Sequence, residues 1–419
     1  MNQPKHDPLS ALRNSEFVYF LSFRFLLTFA ITMQALAVQW QIYSLTHDPL
    51  ALGLIGLAEA IPFVATSLVS GHFADTRDRK TIVVWFSVLY ILCSALLWFF
   101  SSSVNHVVSS QITFPFYAVI FLTGISRGFI ASALAPLMMQ IIGREKLSNA
   151  TAWNSNVWHA AAVSGPVAGG FLVGWMGYSN TYILITVCLI LSFIIFQFIK
   201  RKPKPEVNKT ESLSQSLKAG IRFVFANEFL LGALSLDLFA VLFGGAVALL
   251  PMFADTQLHV GAIGLGILRA APFTGSIIMG TWLAFQPPMK KAGRNLFICV
   301  AGFGLCMIAF AFSHNFYLSI FILMLSGMFD NVSVIIRHTI VQLMTPDHMR
   351  GRVSAVNNIF IGSSNEIGAF ESGTAARLMG LVPSVVFGGI MTIMVVGFTA
   401  WRAPGLKKLN MQKLIEKGS

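Results

Sequence analysis

Charge is what this chain has least of. Only 11% of its 419 residues are Asp, Glu, Lys or Arg, against roughly a quarter in soluble domains. That scarcity excludes most water-soluble folds, and the high apolar content excludes intrinsic disorder. Cysteine is nearly absent too. Cys93, Cys188, Cys299 and Cys306 each lie inside an apolar run and form no CxxC pair. They read as small buried apolar residues, without support for a disulfide framework or a metal site. The N-terminal segment lacks a small-residue cleavage site after its basic start, and the apolar stretch that follows is too long for a signal peptide. It reads as an uncleaved first span. HExxH, GxGD and GxxxxGK[ST] are all missing, so zinc-protease, intramembrane aspartyl-protease and ATP-driven chemistry have no sequence support. The sequence predicts no enzyme activity, no cofactor and no metal.

What is present is hydrophobicity: 55% apolar residues and a mean hydropathy of +0.71. Twelve apolar runs can be marked, at 16–43, 49–73, 81–101, 113–142, 150–176, 181–199, 229–253, 259–285, 295–313, 316–344, 353–379 and 382–401. Each is long enough to cross a bilayer as a helix. The expected fold is therefore all-α and integral to the membrane. It comprises an N-terminal six-helix bundle (1–199), a cytoplasmic linker (200–228) and a C-terminal six-helix bundle with its tail (229–419). Ser214 to Ala226 in the linker has helical spacing through Leu217, Ile221 and Phe225. It is either an interfacial helix or plain linker.

The formal net charge of +12 resembles a nucleic-acid signal, but its distribution assigns it to topology. The two tails and every second loop carry 24 of the 29 Lys and Arg residues, and the intervening loops carry none. By the positive-inside rule both termini are expected on the cytoplasmic side. Nucleic-acid binding is not needed to explain the charge. A weak internal repeat supports duplication, since Gln140 to Ser148 resembles Gln342 to Arg350 at an offset of 202 residues.

Histidine aside, ten Asp, Glu, Lys or Arg side chains lie in the interiors of the runs: Arg24, Glu59, Arg127, Asp237, Arg269, Asp330, Arg337, Glu366, Glu371 and Arg377. Charges at membrane depth are costly unless paired or hydrated, and mark ion and substrate paths. Spans 3, 6, 9 and 12 hold none of them, a period of three that implies a central polar cavity lined by the other spans. Glu59 and Arg127 reach similar depth and can pair. Asp330 and Arg337 share one helix face. Glu59, Asp237, Asp330 and Glu366 are each either a structural ion pair or a proton carrier. His159 is open to the same role or to plain hydrogen bonding. Arg24, Arg127 and Arg269 can meet an anionic substrate or hold carboxylates. Gln34, Gln39, Asn357 and Asn358 can offer neutral hydrogen bonds.

Two motifs carry a family resemblance. Gly71, Asp75, Arg79 and Lys80, in the loop after the second span, resemble the loop pattern of the major facilitator superfamily, with Thr76 and Asp78 departing from it. The resemblance implies that Asp75 and Arg79 act in a conformational latch; topogenic charge alone is the plainer alternative. Gly165, Pro166, Gly169 and Gly170 are similar to the core of that superfamily's antiporter motif, or form a small-residue packing face. The segments Asp330–Arg337, Thr345–Asp347, Arg350–Val353 and Asn365–Gly373 resemble the enterobactin-exporter and macrolide-efflux branch. That likeness covers essentially the whole chain. It implies a monomeric, proton-driven secondary transporter that exports small organic molecules such as siderophores or drugs by alternating access. An uptake permease of the same fold is the alternative, with a receptor more remote.

Overall fold

The computed structural model describes residues 9–102, 113–143, 145–203, 213–244, 246–287, 289–346, 349–407 and 409. The side chains of residues 67, 68, 72, 74, 75, 213–217, 350, 351, 355, 358 and 359 lie outside that description.

Apolar runs leave the backbone no partner but itself, and within a bilayer that selects helices. The described residues form α1 (Ser15–Thr46), α2 (Pro49–Thr76), α3 (Arg79–Ser101), α4 (Phe114–Ile142), α5 (Leu147–Gln197), α6 (Leu213–Ala226), α7 (Glu228–Phe243) and α8 (Ala246–Met252). A π-helical turn (Phe253–Gln257) follows, then α9 (Gly261–Ala284), α10 (Ala292–Ala311), α11 (Phe316–Met344), α12 (Arg350–Met379), α13 (Leu381–Arg402) and the short α14 (Pro404–Lys407). No strand occurs among the described residues. Ten segments are long and apolar enough to cross a membrane.

The boundaries follow local chemistry. Asp78, Asn227 and Asn315 cap α3, α7 and α11 by accepting hydrogen bonds from first-turn amides, which satisfies donors that the helix itself leaves free. Two apolar runs merge in the 51-residue α5, but Gly177 interrupts it at φ 78°. That left-handed backbone is open to glycine at little cost. α12 is missing from the ten spanning segments; it carries Arg350, Arg352, Glu366, Glu371 and Arg377.

Contacts divide the chain into two compact units. One joins Met1–Gln41 to Ile61–Asn208, the other Ile42–Ala60 to Lys209–Ser419. The sequence grouped the whole of 1–199 together; residues 42–60, the end of α1 and the start of α2, pack with the second unit. Tyr43 there donates to Asp255 at 3.0 Å, and Arg377 pairs with Asp48 at 3.1 Å.

The core of the second unit is apolar and fully enclosed, with Leu230 and Leu236 of α7, Leu296 of α10, Ile336 and Ile340 of α11 and Val353 of α12. Val224 of α6 joins it, and Gly220 lies against the backbone of Arg352. The end of the linker is thus a helix docked on α12. Its Ile221 and Phe225 remain exposed, so the apolar spacing through them marks a different face from the one that packs through Val224.

In the first unit α3 packs on α4 and α5. Phe86 stacks on Phe129 with centroids 4.1 Å apart, and Ser94 meets Thr186 at 2.9 Å. The helices with no charge in their interiors leave large side chains outside: Trp85 and Leu92 on α3, Ile190 and Ile194 on the second half of α5, Leu305 on α10, and Phe398 and Trp401 on α13. Those are the surfaces that hydrocarbon would cover.

Candidate functional site

Glycine brings two helices together at the centre of the candidate site. A side chain on Gly56 of α2 would meet the Glu366 carbonyl at 2.6 Å and Ala369 of α12 at 2.7 Å; Gly373 is as tightly confined by Gly53 and Pro49. Such small-residue contacts allow backbones to approach closely. Glu59 follows Gly56 by one turn. Arg269 of α9 lies in the attractive field of both Glu366 and Glu59. Three of the residues singled out by sequence, from three helices, therefore form one cluster of two carboxylates and one guanidinium.

A second charge group lies on α7 and α11. Asp237 and Arg337 form an ion pair and are 7% and 3% exposed. Arg337 shares a helix with Asp330, yet its partner stands a hundred positions earlier in the chain. Asp330 lines a small cavity with Asp237 and Ser333. Glu371 is half-buried beside Ser372, whose hydroxyl lies 3.4 Å from it.

The first unit supplies cations and amides. Arg24 on α1 has its Nε buried without a hydrogen-bond partner among the described residues, and the same holds for Gln34 Oε1. Gln39 is half-buried on α1. Arg127 on α4 places its guanidinium 4.9 Å above the Phe63 ring, a cation–π contact. His159 on α5 is half-buried, edge-on to Trp158, with Nδ1 unpartnered. In the second unit Asn357 is 3% exposed and its Oδ1 lacks a partner; the side chain of Asn358 lies outside the described residues.

At the loop motif, Asp78 rather than a glycine opens α3, and it accepts from the Thr81 hydroxyl at 2.8 Å. Arg79 reaches the Pro136 carbonyl at 3.5 Å. Lys80 donates to the carbonyls of Gln197 and Ile199 at the end of α5. Gly71 has open space where a side chain would stand, and the side chain of Asp75 lies outside the described residues. In α5, a side chain at Gly165 would collide with Thr32 and Phe29, and one at Gly169 with Met33. Pro166 and Gly170 are buried with them. This small-residue face seats α5 on α1.

Sequence reasoning missed Gln41. It is 7% exposed, exchanges hydrogen bonds with Ser101 at 2.9–3.0 Å and accepts from Tyr182 at 2.9 Å. It joins α1, α3 and α5, and the signal available was a lone amide near the end of an apolar run. Asp48 and Asp255 were also passed over as bare loop charges. Among the described residues no group of three or more His, Cys, Asp or Glu is placed to hold a metal.

Residues 6–416 match the family described as transmembrane secretion effector. Among curated proteins the chain is similar to the enterobactin exporter EntS of Shigella flexneri, 26% identical over 371 residues that span 87% of this chain and 86% of that one. Its fold is similar to a POT family transporter solved with 5-aminolevulinic acid, with TM-score 0.72 and 10% identity over 93% of this chain and 96% of that one. It is also similar to a bacterial homologue of the lysosomal transporter Spinster in an inward-facing, unoccupied conformation, with TM-score 0.68 and 13% identity over 97% and 98% of the two chains. With charged clusters set in apolar helices and a match that runs nearly end to end, the chain belongs to the transmembrane secretion effector family, integral membrane transporters of the major facilitator type.

Proposed function

We propose that this protein is a proton-coupled exporter of small organic molecules, siderophore or drug-like in class, that works by alternating access. The observation that carries the reading is Arg269 shared by Glu366 and Glu59. One guanidinium neutralises one carboxylate. In the proposed cycle the second is the carboxylate that takes up the coupling proton. A conformational change that alters which acid Arg269 faces would release that proton on one side and take it up on the other.

Twelve spans follow if α5 counts as two crossings, broken at Gly177, and if α12 crosses despite its charges. Both termini then lie on the basic, cytoplasmic side of a bacterial inner membrane, and the protein works as a monomer. Arg24, Arg127, Gln34, Gln39 and His159 in the first unit, and Asn357 and Asn358 in the second, are the residues proposed to meet substrate. Gly71, Asp75, Arg79 and Lys80 form the cytoplasmic latch. The Gly165–Gly170 face lets α5 move against α1. Outward direction is supported by the family's description and by the relative's export of enterobactin.

Purified protein in liposomes with an imposed proton gradient tests the reading. Gradient-driven movement of a catecholate siderophore or a macrolide is expected, and Glu59→Gln or Glu366→Gln should abolish the dependence on the gradient. Flux that ignores the gradient in the unmodified protein would remove proton coupling. Accumulation of the compound by cells, in place of loss, would reverse the direction.

A further inference from the structure

Within the second unit, α7, α10 and α11 enclose a cavity of about one water's size, between Asp237, Asp330 and Ser333, with Cys299 and otherwise apolar walls that include Val241 and Phe303. A buried water needs two to four polar partners, and the two carboxyls and the hydroxyl supply three. Arg337 is committed to Asp237, and its Nε is buried with no protein acceptor among the described residues. Asp330 has no ion pair or hydrogen bond among them.

No cation lines the cavity. α7 contributes Asp237 to it, with Glu228 at the helix start; Arg294 of α10 is exposed near that helix's start, and the charges of α12 and α13 are not in its walls. The thiol of Cys299 is the group that α10 offers. The one charged residue of α9 is Arg269, which lies in the field of Glu366 and Glu59. On α11 itself, His338 adjoins Arg337. Two carboxylates thus face one guanidinium in apolar surroundings, a set that carries one negative charge too many when fully ionised. Asp237 has the guanidinium, and burial among apolar walls disfavours the charged form of the carboxyl without one.

We propose that this cavity is a one-proton site distinct from the Glu59–Arg269–Glu366 cluster: Asp237 stays ionised against Arg337, Asp330 carries an exchangeable proton, and a water held by Ser333 is the route by which that proton leaves. The step is a proton transfer alone. Asp330 gives up its hydroxyl proton to the water, a proton leaves from that water, and the carboxylate left behind competes with Asp237 for Arg337. Arg337 is a positioning residue that decides which carboxyl is ionised. None of this requires that substrate movement be coupled to protons, so it survives or fails separately from the proposed function.

Infrared difference spectroscopy on the purified full chain, without substrate and in light and heavy water, tests the site. A protonated carboxyl shows a C=O band that shifts on deuterium exchange. Asp330→Asn should remove one such band, and that same band should persist in Glu59→Gln and in Glu366→Gln, which remove only a band of their own cluster. Asp237→Asn should also remove it although Asp330 is still present, because Asp330 becomes the only anion available to Arg337 and ionises. If Asp330→Asn fails to fold, the Asp237→Asn result decides alone. Survival of the band in either aspartate variant, or its loss in Glu59→Gln, overturns the proposal.

Discussion

The two units carry opposite charge inside the apolar spans. The first holds Arg24 and Arg127 and no embedded acid; the second holds Glu59, Asp237, Asp330, Glu366 and Glu371 against Arg269, Arg337 and Arg377. A sum of zero over the whole chain conceals a surplus of two cations in one unit and two acids in the other. The second unit meets part of its surplus internally, through the Asp237–Arg337 pair and the cluster around Arg269. The first has Arg24, whose Nε finds no protein acceptor among the described residues. Acid-rich surroundings suit the binding of protons. A buried cation suits an anionic group delivered from outside the protein.

The sharpest way to break this contrast is to remove one arginine from each unit. Arg337→Leu leaves Asp237 as a buried, uncompensated charge, which costs roughly 3–5 kcal/mol. Its thermal unfolding temperature in detergent should fall steeply. The double variant Arg337→Leu with Asp237→Asn removes both charges and should recover much of the loss. Arg24→Gln should behave in the opposite way, with an unfolding temperature that holds or rises while substrate flux falls. A large loss of stability in Arg24→Gln would show that the first unit neutralises its arginine internally after all, and the contrast would fail.

The glycine contacts give the next effect. Gly56→Leu forces a side chain into the backbone of α12, and overpacking of this kind typically costs about 1–3 kcal/mol. Because Glu59 follows one turn later, the same change should displace Glu59 from Arg269 and abolish gradient-driven flux. In the first unit Gly165→Leu should cost a similar amount of stability through Thr32 and Phe29 and leave proton binding by the acid-rich unit unchanged. Circular dichroism melts paired with proteoliposome flux would separate the two.

How far could these features be read in the sequence? The apolar helices could be, ten of them long and apolar enough to span among the described residues, because hydrophobic length is a one-dimensional property, and the helix caps at Asp78, Asn227 and Asn315 are short-range chemistry. The embedded charges were visible as exceptions to an apolar background. Their partners were not. Arg337 lies two turns from Asp330 along one helix, and only the packing of α7 on α11 brings it to Asp237. Gly56 and Gly373 are ordinary glycines until a second backbone is laid against them. The division of α1 and α2 between the units was hidden for the same reason. Nothing local to Ile42 or Ala60 marks where a helix changes neighbours.

The smallest expected effect is at the end of the first unit that carries Glu16. Glu16 accepts a 2.6 Å bond from Lys202 and a second from the Lys200 amide, which ties the start of the linker to α1. Both side chains retain some exposure, so water screens the pair and its contribution should be at most about 1 kcal/mol. Glu16→Gln keeps the shape and removes the charge. Its unfolding temperature should drop slightly at low salt, and the difference from the unmodified protein should vanish as ionic strength rises. The Asp237–Arg337 pair, shielded from solvent, should show no such convergence in Arg337→Leu. If both differences faded with salt, the buried pair of the acid-rich unit would be no better insulated than a surface bridge, and the distinction drawn between the two units would lose its electrostatic basis.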